Sequence, residues 1–498
     1  MAEKRNDRGG LTRREFAARV GATAAGVALG GEFFGSGLQA APHVSGRLIG
    51  ANDRVVTASI GIRGQGNALK RGFARLKNVE IKTLCDIDAN LAPARTNDAR
   101  LGDVATFKPG FAQDLRRVLD DKDIDAVVIA APNHWHALAT IWALQAGKHV
   151  YVEKPASHTV WEGRKMVEAT ARYNKIVQVG TMNRSRPAVR DAIKFIHEGG
   201  LGKVYMARGL CYKPRPAIGK YPDGPMAPGE KYALTLTSTS YEPTYDAQYL
   251  SKVDYDLWLG PAPKRPFNRN RFHYNWHWHW DYGNGDSGNQ GPHQFDIARW
   301  GLQKQEHPVK IKSVGGYAGD ESSQETPNYQ TSFFEYADGA VLEFGTRGGF
   351  TNDEAGVRIG NLFYGTKGWL WIEEAGTKWQ SYFGPKNEPG PGADRSDANG
   401  EPTGLTTTEY PHYQNFVDAI RADDPKLLAC DVFEGHLSSS LPHLGNISYQ
   451  VGRALVFDGK TEKFVDDRQA DRLLTREYRK GFEISDSFSL RTHEQARR

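Results

Sequence analysis

A glycine-rich turn near the start of the chain has the residue types needed to hold a phosphate. Gly61-Ile62-Arg63-Gly64-Gln65-Gly66 follows an apolar run and precedes a helix-like segment, and Asp86 stands 25 residues after Gly61. Glycines let the backbone approach a pyrophosphate, which then rests on the helix N-terminus. An acid at about this distance accepts hydrogen bonds from ribose hydroxyls. The pattern predicts dinucleotide binding by Gly61, Ile62, Arg63, Gly64, Gly66 and Asp86.

The acid and the glycine spacing bear on which dinucleotide binds. The Asp86 carboxylate repels a 2′-phosphate, so we expect NAD rather than NADP. A GxGxxG pattern read from Gly61 needs a glycine where Arg63 stands, and Gly64 gives G-x-x-G-x-G instead. An arginine close to the adenosine phosphates keeps NADP as the alternative.

A lysine held between an acid and a proline is the first candidate for catalysis. Glu153-Lys154-Pro155 directly follows the apolar run His149–Val152. A lysine fixed at a strand end beside a nicotinamide can donate a hydrogen bond to a substrate oxygen and assist its proton transfer. We predict that Lys154 is catalytic and that Glu153 and Lys154 contact the cofactor. A surface lysine on a loop is the alternative.

Aromatic and polar residues alternate strictly along HYNWHWHWDY, residues 273–282. This period predicts a β-strand with an aromatic face that packs in the core or walls a substrate site. We predict substrate contacts for Tyr274 and Trp278. His277 and His279 share the other face, but no third ligand is evident, so we predict no metal. Stacking on nucleic acid would need a basic patch, which this stretch lacks.

Alternating strands and helices must position these groups. Apolar runs predict buried parallel strands at 55–60, 79–84, 126–131, 149–152 and 176–179, with amphipathic helices that include 67–76 and 111–124. Ligands of such sheets bind beyond the carboxyl ends of the strands. A predicted loop there contains Pro132, Asn133 and His136, which we therefore assign to the cofactor. We predict a dinucleotide-binding Rossmann domain at 53–180.

The rest of the chain predicts a second domain at 181–465. Its later segments alternate as β-strands separated by turns such as Asp338-Gly339. Residues 213–250 are rich in Pro, Gly, Ser, Thr and Tyr and predict a long insertion, as a lid or an oligomer contact. A charged tail at 466–498 follows.

Composition excludes several classes of protein. The chain has 498 residues, 39% hydrophobic and 25% charged, which is typical of a globular protein with two domains. A net charge of +5 is too weak to indicate a polyanionic partner such as nucleic acid. The three cysteines, Cys85, Cys211 and Cys430, form neither a disulfide framework nor a metal-ligand spacing.

The first forty residues have the pattern of a targeting segment. Arg13-Arg14 is followed by Phe16 and an apolar run of small residues, and Gln39-Ala40-Ala41 offers a cleavage site. We interpret residues 1–40 as a twin-arginine signal peptide, with a lone amphipathic helix as the alternative. The expected location is therefore periplasmic, after export by the twin-arginine machinery with the cofactor already bound.

Two stretches resemble a known family. PNHWHA from Pro132 and VYVEKPAS from Val150 resemble the Gfo/Idh/MocA family of glucose–fructose oxidoreductases and inositol dehydrogenases. The resemblance implies a Rossmann domain followed by an α/β domain with an open, mostly antiparallel sheet. It also implies nicotinamide-dependent redox chemistry on sugars or polyols, and Arg184, which follows the sixth strand, is assigned to the substrate. An open sheet can pair with a second copy, so a homo-oligomer, a dimer or a tetramer, is expected.

The same resemblance assigns a second catalytic pair. The family usually carries an Asp, three residues and a His, where this chain has Asn289 and His293, one helical turn apart. His293 is predicted to act as the general base on a substrate hydroxyl, because its ordinary pKa of about 6.5 suits that task. Asn289 can orient the substrate but cannot take a proton. Asp286 is the nearby acid that can compensate, and we assign both Asp286 and Asn289 to the substrate.

Three functions compete. The first is an exported NAD-dependent oxidoreductase acting on a ring hydroxyl of a sugar, polyol or glycoside. The second is a redox glycosidase, in which bound NAD oxidises a ring hydroxyl transiently and the aglycone is eliminated. The third is a non-catalytic sugar-binding relative, to which only Asn289 points. The intact Glu153-Lys154-Pro155 favours the first, since the resemblance associates hydrolases with departures from that motif.

Overall fold

A six-stranded parallel sheet organises the first part of the computed structural model, which describes residues 54–98, 108–231, 245–396 and 410–485. The strand order is β3-β2-β1-β4-β5-β6, with every pair parallel. The predicted Rossmann fold is therefore confirmed. In chain order the elements are β1 (Val55–Ile60), α1 (Gly64–Ala74), β2 (Val79–Cys85), α2 (Ala92–Thr96), β3 (Gly110–Ala112), α3 (Leu115–Asp120), β4 (Ala126–Ile129), α4 (Asn133–Gln145), β5 (His149–Val152), α5 (Val160–Tyr173) and β6 (Val177–Val179).

A ten-stranded sheet organises the second part. Its order is β14-β13-β12-β11-β7-β10-β9-β8-β15-β16, and only the β7–β10 pair is parallel. The expectation of an open, mostly antiparallel sheet is therefore confirmed. The elements are α6 (Pro187–His197), β7 (Val204–Cys211), α7 (Ala247–Leu250), α8 (Tyr255–Leu259), α9 (Gly285–Asn289), α10 (Gly291–Gly301), β8 (Lys310–Gly316), β9 (Tyr329–Glu335), β10 (Val341–Arg347), β11 (Ile359–Gly365), β12 (Gly368–Glu373), β13 (Lys378–Phe383), β14 (Glu388–Asp394), α11 (Tyr410–Ala422), α12 (Val432–Val451), β15 (Leu455–Asp458), β16 (Lys463–Phe464) and α13 (Arg468–Asp471).

The faces of the large sheet differ. One face packs on α6, α10 and α12 around Phe295, Phe334 and Phe344. The other leaves large apolar side chains such as Tyr329 and Phe333 exposed. The homo-oligomer stays a prediction, and this open face is the surface expected to pair with a second copy.

Two late segments return to the Rossmann domain. Helix α11 packs on α1, with the rings of Phe73 and Tyr413 stacked at 4.9 Å. Further on, Phe482 lies edge-on to Trp135 with ring centroids 5.7 Å apart. Part of the predicted charged tail thus lies across α4. No helix among the described residues is long and apolar enough to cross a bilayer. The predicted signal peptide at 1–40 lies outside the described residues.

Two local predictions are wrong. The segment from Pro132 to His136 is the N-cap and first turn of α4 rather than a loop. Residues 273–282 do not form a strand: His273 has φ +28°, and Asn275–Trp278 is a 3-10 helix. The N–H groups of His277 and His279 donate to carbonyls three residues earlier, as in a 3-10 helix, and the Trp278 carbonyl accepts from the N–H groups of Glu325 and Thr326, which lie outside the described strands.

Candidate active site

A cleft lies where the parallel strands end, between the glycine turn and the segments that contain α8, the 3-10 helix and α9. Most of the predicted site residues lie here, as expected for a ligand that binds beyond the carboxyl ends of parallel strands. The predicted residues that line the cleft are Gly61, Arg63, Gly64, Asp86, Pro132, Asn133, His136, Glu153, Lys154, Tyr274 and Asn289. These residues, which are far apart in the sequence, therefore come together in one cleft.

The glycine turn is shaped to admit a phosphate. A Cβ on Gly61 would lie 2.6 Å from the Ala130 carbonyl oxygen, and one on Gly66 would lie 1.9 Å from that of Gly61. Glycine is thus required for α1 to begin this close to β1 and β4. Gly64 has no atom within 4 Å of its would-be Cβ, and no side chain caps α1. The first N–H groups of α1 therefore suit a phosphate, as a dinucleotide requires.

Asp86, the predicted ribose acceptor, lines the cleft directly after β2. Its carboxylate accepts the Ile62 N–H at 2.9 Å and the Asp88 N–H at 3.0 Å. Ile62 therefore contributes through its backbone and Gly66 through close packing. Burial raises the pKa of the Asp86 carboxyl to about 6, against the two N–H donors. The group is still mostly ionised at neutral pH, as a ribose acceptor must be.

His136 ties together two strand ends beside the cleft. Its Nδ1 lies 2.6 Å from the Pro155 carbonyl oxygen and its Nε2 lies 2.7 Å from that of Ala131. Burial lowers the pKa of its imidazole to about 4. Its neighbour in the predicted loop, Asn133, donates to the Asn284 side-chain oxygen at 3.3 Å. His136 therefore links the ends of β4 and β5 within the Rossmann domain, and Asn133 links α4 to the second domain.

Lys154 is aimed at the predicted catalytic turn. Its Nζ donates to the Asn289 carbonyl oxygen at 2.8 Å, and the Lys154-Pro155 peptide is cis. Burial lowers the pKa of the amine, while the Glu153 carboxylate opposes that shift. A buried amine with a lowered pKa exchanges a proton more readily near neutral pH than an exposed one. The position and the charge state both suit an acid–base lysine.

His293 lies one turn beyond Asn289 and is half-buried. Burial and then the positive charge of Lys154 hold the pKa of its imidazole well below the ordinary value. Its Nδ1 is buried with no hydrogen-bond partner among the described residues. Burial and the neighbouring cation disfavour protonation of the ring, so His293 is a weaker base than its ordinary pKa predicted, and it is not among the residues that line the cleft. The free Nδ1 is the feature that still suits a proton acceptor.

Three residues predicted to contact substrate lie elsewhere. Arg184 binds the Asp296 carboxylate at 2.8 and 2.9 Å and Glu434 at 2.7 Å, so its charge is already neutralised outside the cleft. Trp278 is buried, with the Arg215 guanidinium 5.2 Å from its ring centre. Asp286 is held by Arg215 at 2.6 Å. Asp286 and Trp278 thus form the wall behind the cleft.

Sequence reasoning missed several residues of the site. Trp276, His277 and His273 line the cleft, although the sequence predicted that the two histidines face away from the aromatic residues. Lys213 and Arg215, which follow β7, are close enough to lower the pKa of Lys154. The only signal for them was the basic, proline-flanked run Lys213–Pro216 in a segment assigned as an insertion.

Among the described residues, one cluster has the composition of a metal site. Nε2 of His307 and Nε2 of His436 lie 3.0 and 2.8 Å from the same Glu462 oxygen. The Arg164 guanidinium binds that oxygen too. These are hydrogen-bond distances, and a guanidinium on the carboxylate opposes a cation. We interpret the cluster as an ion-paired link between α5, α12 and the β15–β16 turn.

Comparison with known proteins adds independent findings. The model of an oxidoreductase family with an NAD-binding Rossmann fold matches residues 58–181. The model of the C-terminal alpha/beta domain of the same oxidoreductases matches residues 241–358 and 404–484. Both belong to the set designated Gfo/Idh/MocA.

Curated relatives match over part of their length. A levoglucosan dehydrogenase of Pseudarthrobacter phenanthrenivorans is 43% identical over 96 residues, 19% of this chain and 25% of the relative. An inositol 2-dehydrogenase of Salmonella typhimurium is 31% identical over 32% of this chain and 46% of the relative. A glycosyl hydrolase family 109 protein of Shewanella pealeana is 32% identical over 39% and 44%. The chain spans less than half the length of these relatives.

Solved structures share the fold across most of the chain. A levoglucosan dehydrogenase in complex with NADH has a TM-score of 0.58 at 21% identity, covering 81% of this chain and 98% of that one. An aldose-aldose oxidoreductase from Caulobacter crescentus, complexed with glycerol, has a TM-score of 0.57 at 17% identity, covering 81% and 100%. At these identities the likeness establishes the architecture alone.

Proposed function

Because this chain belongs to the Gfo/Idh/MocA oxidoreductase family, we propose that it is an NAD-dependent oxidoreductase acting on a ring hydroxyl of a sugar, polyol or glycoside. One observation carries the proposal. Lys154, a half-buried lysine whose pKa is lowered, lines the same cleft as the glycine turn and Asp86. The sugar-oxidising relatives named above support the substrate class.

Residues that line the cleft, together with His293 one helical turn beyond Asn289, divide the work of hydroxyl oxidation. A nicotinamide, when bound, accepts a hydride from carbon or returns it. Lys154, fixed on the Asn289 carbonyl, donates a hydrogen bond to the substrate oxygen as that oxygen loses its proton. His293 is neutral and takes the proton. Tyr274 and Trp276 wall the cleft, which excludes water from the reacting carbon.

Asp86 supports NAD over NADP as the partner of this chain. An ionised carboxylate at the adenosine ribose repels a 2′-phosphate. Asp88, fully buried two residues later, adds a second negative charge to the same loop. The guanidinium of Arg63 lies 5.6 Å from the Tyr245 ring centre, so it already makes a cation–π contact with that ring. These observations together favour the unphosphorylated ribose.

The first test identifies both cofactor and substrate. The purified protein is denatured, the released nucleotide is identified by mass, and sugars, polyols and glycosides are screened for NADH absorbance. We expect NAD, either released or taken up on incubation, and turnover with at least one class of carbohydrate. Protein that carries no nicotinamide dinucleotide and binds none would contradict the proposal.

A redox glycosidase is the second candidate, and the family 109 glycosyl hydrolase relatives favour it. Here the same Lys154–His293 pair would serve a transient oxidation that loosens a glycosidic bond. The same screen separates the two functions. Release of an aglycone without net formation of NADH would assign the glycosidase, and NADH accumulating with an intact glycosidic bond would assign the dehydrogenase.

We also propose export through the twin-arginine route, on the strength of Arg13-Arg14 and the small-residue apolar run that follows. A cleft for a bound dinucleotide suits a route that carries folded proteins. We expect the full chain, expressed in a bacterium with this pathway, to reach the periplasm. Changing both arginines to lysine should keep it in the cytoplasm. Equal amounts of both forms in the periplasm would contradict export by this route.

A further inference from the structure

The loop that follows β2 is fastened to the second domain. Asp88 and Val253 form an antiparallel bridge. The Ala89 N–H donates to the Lys252 carbonyl at 3.1 Å, and the Asp254 N–H donates to that of Ile87 at 2.9 Å. This loop also carries Asp86, the predicted ribose acceptor. A segment of the C-terminal domain therefore fixes the adenosine end of the Rossmann site.

Asp88 is the centre of this contact and is 0% exposed. Tyr249 donates its hydroxyl to one Asp88 oxygen at 2.6 Å, and the Nε2 of His273 lies 3.0 Å from the same oxygen. The other oxygen accepts the N–H and the side-chain amide of Asn90. Burial favours the neutral acid, but these donors outweigh it and hold the pKa of Asp88 below its ordinary value.

The two donors come from segments that face the cofactor cleft. Burial, then the nearby Arg63, lowers the pKa of His273 to about 3, so its ring is neutral and can donate through Nε2. His273 itself lines the cleft. The Tyr245 ring lies 4.6 Å from the Tyr249 ring and 5.2 Å from that of His273. Aromatic side chains thus pack around His273, and one of them, Tyr245, lies 5.6 Å from the guanidinium of Arg63 in the glycine turn.

Asp86 is coupled to this centre through one hydrogen bond. The Asp88 N–H donates to Asp86 at 3.0 Å, so the position of the ribose acceptor depends on where Asp88 is held. A buried carboxylate cannot lose its donors without a large penalty. Moving the loop to open the adenosine end therefore requires breaking the Tyr249 and His273 contacts together.

We propose that Asp88, Tyr249 and His273 form a clasp that holds the dinucleotide in the cleft and slows its release. The inference rests on the proposed NAD binding but not on which carbohydrate is oxidised. The three are positioning residues, since they act on the cofactor through Asp86 and the loop.

The test measures how fast NADH leaves the full-length protein. The protein is loaded with NADH, mixed with excess NAD in a stopped-flow instrument, and the decay of NADH fluorescence is followed. Tyr249→Phe and, separately, Asp88→Asn should raise the dissociation rate constant at least about tenfold, since each removes a charge-assisted hydrogen bond. Tyr255→Phe is the control, because among the described residues its hydroxyl binds only the Pro266 carbonyl, within the same segment.

The outcomes separate the clasp from the function. Both variants must melt as the parent does without cofactor, and His273→Asn replaces Asp88→Asn if that protein does not fold. Faster release from the clasp variants and not from Tyr255→Phe supports the clasp. Release at the parental rate from both folded variants overturns it while NAD binding stands. A parent protein that binds no NADH would overturn the proposed function and the clasp with it.

Discussion

Replacing Lys154 with methionine is expected to lower kcat for the carbohydrate identified in the screen by about 10²- to 10⁴-fold, the usual contribution of a positioned acid–base group. Methionine keeps the length and the buried aliphatic contacts but removes the amine that donates to Asn289. The group that steadies the substrate oxygen is then missing. NADH affinity should change much less, since the glycine turn and Asp86 are untouched.

The measurement is the steady-state rate at saturating cofactor, together with the NADH dissociation constant from fluorescence titration. Lys194→Met is the matched control, because that side chain is 74% exposed on α6 and belongs to a surface pair with Glu198. A Lys154→Met enzyme that turns over within about threefold of the parent would remove Lys154 from the mechanism. Loss of NADH binding alone would assign it to the cofactor instead.

Buried parallel strands were the most predictable elements. β1 and β5 begin and end where the apolar runs do, at Val55–Ile60 and His149–Val152. A strand covered on both faces is apolar or small at nearly every position, with Thr57 and Ser59 as the buried polar residues of β1, so the run and the element coincide. The position of the cleft could be predicted from these strands, because the carboxyl ends of parallel strands lie at one edge of the sheet. That is why Asp86 and Lys154, far apart in sequence, were placed in one site.

The wrong predictions share a cause. An alternating pattern was read as a strand at 273–282, yet Trp276, Trp278 and Tyr282 are buried by local turns while Trp280 is half-exposed. Aromatic residues in a cleft wall are selected by the cavity they line, so their spacing need not report the backbone period. The first turn of α4 was missed for a similar reason, because α4 is buried almost all round and shows no polar face.

Contacts between distant segments were beyond the reach of sequence patterns. Asp88 and Tyr249 are 161 positions apart, and nothing in either neighbourhood signals the other. Lys213 and Arg215 lie in a segment whose composition indicates only an insertion. Arg184 was assigned from a resemblance, but its fate depends on two carboxylates supplied by α10 and α12. Local periodicity predicts secondary-structure elements. The contacts of these side chains depend instead on which elements pack together in the fold.

The ion pairs of Arg184 with Asp296 and Glu434 lead to the second prediction, a large loss of stability. Asp296 is 1% exposed and accepts two hydrogen bonds from Arg184 and one from Ser438 at 2.7 Å. Burial alone would raise the pKa of Asp296, but Arg184 and then Arg299 outweigh it and hold that pKa below its ordinary value. A depressed carboxyl pKa stabilises the fold above the unfolded-state pKa. That stability is lost only as pH falls through the folded value, so it is fully present at neutral pH.

Asp296→Asn should therefore lower the free energy of unfolding by about 3–5 kcal/mol, because it leaves two buried guanidinium groups with Glu434 as their one remaining carboxylate. Denaturant unfolding at pH 7 measures the loss. Asp191→Ala is the control: Asp191 and its partner Arg395 are 40% and 50% exposed, so a loss of about 1 kcal/mol or less is expected.

Arg184→Met should likewise destabilise the protein while leaving the KM for carbohydrate unchanged. A raised KM in a variant of parental stability would instead return Arg184 to the substrate, as the sequence first suggested.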